Sequence, residues 1–78
     1  MDRDQVKAAR ALLRWTAEDL AQKSKVGLST IKRMEGGTKP TQLTAANTQA
    51  IQRALEDGGI EFIAENGGGL GVRLKAKR

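Results

Sequence analysis

Thr16-Ala-Glu-Asp-Leu-Ala-Gln-Lys-Ser-Lys-Val-Gly-Leu-Ser-Thr-Ile-Lys-Arg-Met-Glu35 is the stretch whose reading decides the fold. It reads as two short helices, about residues 17–24 and 28–35, joined by a tight turn. Thr16 followed three residues later by Asp19 has the form of a capping box, with Asp in place of the longer Glu or Gln. Leu20 and Ala21 face inward from the first helix, and Val26, Ile31 and Met34 supply the apolar positions beyond the turn. A small residue at Ala21 lets the second helix cross close to the first. The second helix then holds Ser29, Thr30, Lys32 and Arg33 away from Ile31 and Met34. A polar, basic helix face held out from a small core suits the DNA major groove.

Ala-Glu-Asp-Leu-Ala (17–21), Val-Gly-Leu-Ser-Thr-Ile-Lys-Arg-Met-Glu (26–35) and Gly36-Gly37 together resemble the helix-turn-helix of the phage-repressor and Cro-like, or XRE-type, regulators. The resemblance covers roughly residues 5–57. Lys25 stands where such turns usually have Gly, and Gly27 where a Ser or Thr usually caps the recognition helix. A side chain at positive φ costs roughly 1 kcal/mol, and Gly at an N-cap only a few tenths. The resemblance implies a four-helix bundle, a recognition helix at about 28–35 and a dimer on DNA. It also implies an ion pair between Arg10 and Glu35, at least partly buried, that sets the angle between helices.

The 78 residues make one thin domain, because a chain this short buries only about 60% of its unfolded surface. With neither Cys nor His present, a disulfide framework and an ordinary zinc site are both excluded. No run approaches the ~18 apolar residues of a membrane span, and Met-Asp-Arg-Asp is no signal peptide, so a soluble, cytoplasmic protein is expected. Net charge is +5, unevenly spread. Residues 1–35 carry eight basic and five acidic side chains, residues 36–66 two and four, and residues 67–78 four and none. An acidic middle between basic ends favours a polyanionic partner approached from particular faces.

Residues 4–13 read as the first helix, with Asp2 or Asp4 at its positive end and Arg14 near its negative end. Val6, Ala9 and Leu13 follow helical spacing toward the core, with Leu12 beside them. Trp15 is the only Trp; it reads as a wedge beneath the turn rather than a base-stacking platform. Gly36-Gly37-Thr38-Lys39-Pro40-Thr41 is a helix stop followed by a loop. In the resembled family this loop runs beside the phosphate backbone, which makes Lys39, with Thr38 or Thr41, a phosphate contact. A fourth helix spans roughly Ala45–Asp57, capped by Thr44 or Asn47. Its stripe of Ala50, Ile51, Ala54 and Leu55 is expected to close over the first helix and the recognition helix.

The period changes after Gly58-Gly59. Ile60-Glu-Phe-Ile-Ala and Leu70-Gly-Val-Arg-Leu alternate with period 2 around Glu65-Asn-Gly-Gly-Gly69, the pattern of a β-hairpin. Pairing Ile60 with Leu74, Phe62 with Val72 and Ala64 with Leu70 gathers the apolar residues on one face and sets Glu61 opposite Arg73. A turn at Asn66-Gly67 would instead place Val72 opposite Glu61. The fold class is therefore mainly α: a four-helix bundle over 1–57 followed by a C-terminal hairpin and basic tail over 58–78. A lone hairpin is marginal and exposes two edges, so Ile60, Phe62, Val72 and Leu74 are expected to pack on the helices or join a second copy across a two-fold axis.

Catalytic chemistry is not expected. The commonest general base and the thiol nucleophile are missing, and Gly67-Gly68-Gly69-Leu70-Gly71 lacks the Lys-Ser/Thr and following helix of a phosphate loop. No cofactor, metal or small-molecule ligand is expected. The sequence predicts a homodimeric regulator that binds double-stranded DNA with Ser29, Lys32 and Arg33 reading bases. Arg33 is the strongest reader, since a guanidinium grips guanine O6 and N7 together. Lys32 reads guanine or holds phosphate, and Leu28 touches a thymine methyl or belongs to the core. Thr16 and the amides of Ala17 and Glu18 would meet a phosphate at a helix N-terminus, with Thr30, Lys39 and Thr41 adding further phosphate contacts. The alternatives are an antitoxin-like or adaptor protein whose hairpin grips a protein partner, and an interaction module that has kept the fold without DNA.

Overall fold

Asp2 and Gln5 start the first helix, α1 (Arg3–Leu13), with a reciprocal cap. The Asp2 carboxylate accepts from the Gln5 amide at 2.8 Å, and Gln5 Oε1 accepts from the Asp2 amide at 2.9 Å. Of the two aspartates, Asp2 is the cap and Asp4 lies in the first turn. The helix closes at Arg14 in the left-handed region, φ 58°, with its N–H donating to the Ala11 and Arg10 carbonyls. These elements belong to a computed structural model that describes residues 1–36, 43–64 and 67–75.

Three further helices follow: α2 (Ala17–Ser24), α3 (Leu28–Gly36) and α4 (Ala45–Asp57). Thr16 caps α2, its hydroxyl accepting from the Asp19 N–H at 3.0 Å while the Asp19 carboxylate accepts from the Thr16 N–H at 2.9 Å. Asp therefore closes this capping box despite its shorter side chain. Thr44, not Asn47, caps α4, accepting from the Asn47 amide at 3.0 Å. Two antiparallel strands, β1 (Ile60–Ile63) and β2 (Gly71–Leu74), complete the chain in the register Ile60–Leu74, Glu61–Arg73, Phe62–Val72, Ile63–Gly71. The architecture is mainly α with a C-terminal β-hairpin, and its hairpin register is the one expected from the apolar alternation.

One core joins all of this. Val6, Ala9, Leu20, Val26, Ile31, Met34, Ile51, Ala54, Leu55 and Ile60 are buried together, with Leu13, Trp15, Phe62 and Val72 packed on the cluster. The left-handed Lys25, φ 60°, turns the chain between α2 and α3 as the sequence requires. Trp15 is a wedge as expected. Its ring lies so close to Gly58 that a Cβ there would fall 2.9 Å from its Cζ2 and Cη2 atoms, and Lys23 Nζ sits 5.1 Å from its ring centre.

Three expectations are corrected. Leu12 lies outside the core and is 42% exposed, because the hairpin covers the Gln5 side of α1 and stops short of it. The α4 stripe of Ile51, Ala54 and Leu55 shares the core with Val6 and Ala9 of α1 and Ile31 and Met34 of α3, while α4 also packs on α2 and β1 and the hairpin lies along α1. The described ladder ends at Ile63–Gly71, and Ala64 and Leu70 are exposed beyond it. Ile60 is fully buried within its own protomer, so its side chain serves the intramolecular core and is not available as a dimer contact.

Candidate nucleic-acid interface

The outward face of α3 begins with the burial of its inward one. Ile31, Met34 and Glu35 are buried, and the helical period turns Ser29, Lys32 and Arg33 to the exposed side. Thr30 is half-buried, with its N–H bonded to the Gly27 carbonyl at 3.1 Å. Leu28 is half-buried, between the exposed face and the core. Of the four residues expected to read bases, Ser29, Lys32 and Arg33 are exposed and Leu28 is half-buried, all on one short helix.

The ion pair implied by the resemblance is present, and it fixes that helix. Arg10 Nε and Nη2 donate to Glu35 Oε2 and Oε1 at 2.9 and 2.6 Å, and Nη1 donates to the Trp15 carbonyl at 2.9 Å. A two-pronged guanidinium–carboxylate contact has a defined direction that a single contact lacks. The Glu35 hydrogen bonds hold the Arg10 guanidinium above its ordinary pKa against the opposing effect of burial, with smaller support from the charges of Glu35 and Glu18. Arg10 thus ties the end of α3 to α1 and to Trp15, the residue just before the α2 cap.

Two features missing from the sequence reading support the same elements. Ser24 is buried at the end of α2, where its Oγ accepts from the Val26 N–H in the turn at 3.2 Å. Gln5 is buried as well, and beyond its capping role its Nε2 donates to the Gly71 carbonyl at 3.0 Å and approaches the Ile63 carbonyl at 3.4 Å. One side chain therefore joins the start of α1 to both strands. A Ser just before a turn carries some local signal, whereas nothing near Gln5 in the chain points to residues 63 and 71.

The two helix N-termini differ electrostatically. The start of α2 carries Glu18 and Asp19, and the Thr16 N–H is already taken by Asp19. Two carboxylates there oppose the positive end of the helix dipole, so Thr16, Ala17 and Glu18 form a weaker anion site than spacing alone implies. The start of α3 has Gly27 before it and no acidic residue in its first turn. Its positive end is left unneutralised beside Ser29 and Lys32. Lys39 and Thr41 lie outside the described residues.

Among the described residues, no group of three or more His, Cys, Asp or Glu side chains is placed to hold a metal ion. No helix among them is long and apolar enough to cross a membrane. No protein-family model matches the chain, and no curated protein matches it either.

Proposed function

We propose that the protein is a cytoplasmic, sequence-specific double-stranded DNA-binding regulator of transcription of the XRE type, acting as a homodimer on a two-fold-related operator. In this reading α3 enters the major groove, Arg33 grips a guanine edge, Lys32 and Ser29 contact neighbouring bases or phosphates, and Leu28 meets a thymine methyl. Thr16, the Ala17 and Glu18 amides, Thr30, Lys39 and Thr41 take the phosphate contacts. The observation that carries it is the orientation of α3. Ser29, Lys32 and Arg33 are exposed while Glu35, at the end of the same helix, is clamped from behind by Arg10. A base-reading side chain needs such a fixed mount, because its discrimination depends on hydrogen-bond geometry.

Selection of bound sequences from a random duplex pool tests the reading directly. Enrichment of a motif whose half-sites lie about one helical turn apart is expected, with affinity falling steeply as salt rises. Arg33→Ala is then expected to cost about 1–3 kcal/mol and relax one base position, whereas Lys39→Ala weakens all sequences alike. Failure to enrich any motif, together with salt-insensitive binding, would remove DNA as the partner.

A further inference from the structure

Several large hydrophobic residues are exposed. Among the described residues they are Met1, Leu12, Leu70 and Leu74, the last three 42%, 52% and 47% exposed. The three leucines lie on α1 or on and beside β2, two elements that pack against each other. Ala8 lines a shallow groove with Leu70 and Val72, and Leu12 stands one turn further along the same face of α1. A monomer would leave this apolar strip in water.

The strip runs beside an open strand edge. The Lys75 N–H bonds the Gly59 carbonyl at 2.8 Å, which makes residues 59 and 75, 61 and 73, and 63 and 71 the hydrogen-bonded pairs of the ladder. Leu70, Val72 and Leu74 therefore turn their backbone N–H and C=O groups away from β1, and those of Val72 and Leu74 meet no partner among the described residues. An edge with free groups is a template for another strand.

We propose that β2 pairs antiparallel with β2 of a second copy of this chain about a two-fold axis at Val72, giving a four-stranded sheet. The choice of axis follows from charge and register. An axis at Arg73 would bring two arginines directly opposite each other, about 4.5 Å apart at Cα. With the axis at Val72, Arg73 faces the partner's Gly71, Val72 faces the partner's Val72, and Leu74 faces the partner's Leu70. The outward groups of residues 70, 72 and 74 then all lie in hydrogen-bonded pairs, and the two most exposed leucines cover each other. The Glu61–Arg73 pair stays on the opposite, solvent face. Self-complementarity in both register and charge favours a second copy as the occupant. This surface deepens the homodimer part of the regulator reading; it does not depend on α3 binding DNA.

Sedimentation velocity on the full chain without DNA, over a wide concentration series, tests it apart from any DNA measurement. A concentration-dependent dimer is expected. Leu70→Glu alone and Leu74→Lys alone should each weaken it at least about tenfold, since each leaves a charge against an apolar partner twice per dimer. Both substitutions in one chain place Glu opposite Lys at both positions and should recover most of the loss. Circular dichroism checks that each variant keeps its helices. A monomer at every concentration, a dimer indifferent to the single substitutions, or a double variant no tighter than the singles overturns the proposal.

Discussion

Arg10 and Glu35, twenty-five residues apart, meet through two hydrogen bonds of 2.9 and 2.6 Å, with side chains 21% and 8% exposed. The contact joins α1 to the last full turn of α3, the helix that carries Lys32 and Arg33. Its worth lies in fixing an angle, since a buried pair need not exceed its desolvation cost. Removing one partner is a different matter, because the other charge is then left without its counter-ion.

Glu35→Ala is accordingly expected to destabilise the fold by about 3 kcal/mol, the lower part of the range for a broken buried pair because Arg10 retains some water contact. A domain of this size has roughly 4–12 kcal/mol in total, so the loss is a large share of it. Chemical denaturation measures it. A change below about 0.5 kcal/mol would show that the pair is decorative.

Gln5 has two separable duties, and substitution tells them apart. Gln5→Glu keeps an oxygen to accept from the Asp2 amide but, when ionised, has no N–H for the Gly71 and Ile63 carbonyls. Gln5→Ala loses both. Each should destabilise by about 1–3 kcal/mol, and Gln5→Glu should release the hairpin while sparing the start of α1. Hydrogen exchange of the Arg73 and Gly71 amides against those of α1 reads the difference. Equal acceleration in both elements would contradict this division.

Gly58 has an ordinary φ of −77°, so its requirement is space and not conformation. A methyl group there would fall 2.9 Å from two ring carbons of Trp15 and 3.0 Å from Leu13 Cδ1. Gly58→Ala is expected to cost about 1–3 kcal/mol through overpacking and to shift the fluorescence of the only Trp. An unchanged emission spectrum and unchanged stability would show that the ring moves aside freely.

Acid should weaken the hairpin surface pair. Hydrogen bonds from Arg73 hold the Glu61 carboxyl below its ordinary value of 4.5. A carboxylate whose folded pKa is lowered stabilises the fold above the unfolded value, and that contribution fades as pH falls through the folded one. The stability gap between the natural protein and Glu61→Gln should therefore be present at neutral pH and close on the acidic side of 4.5. It should also be small, because both side chains are largely exposed. A gap that widened in acid would reverse the assignment.

The parts of the fold written in short-range chemistry were legible in the sequence. The Thr16–Asp19 cap, the Lys25 turn, the α4 span and the Ile60–Leu74 register each depend on residues a few positions apart or on a strict alternation. Arg10 and Glu35 were legible only through resemblance, since nothing local pairs them. Leu12 was misplaced because Val6, Ala9, Leu12 and Leu13 form a continuous arc on α1, and the sequence does not say how much of that arc the hairpin covers. Gln5 went unseen for a related reason: a polar residue in a first turn looks like a cap and nothing more. The outward set of Ser29, Lys32 and Arg33 was legible because helical period alone separates it from Ile31 and Met34.

The Gln5 tether also sets an order of events during synthesis. The first helix leaves the ribosome long before Gly71 does, and until then its amide has no strand carbonyl to meet. Arg10 and Glu35 can already join α1 to α3, but the attachment of the Gln5 side of α1 must wait until β2 has emerged, a long-range closure that slows folding relative to a purely local bundle. Nascent chains arrested before β2 should remain open to protease at the N-terminal helix, and chains arrested after it should not.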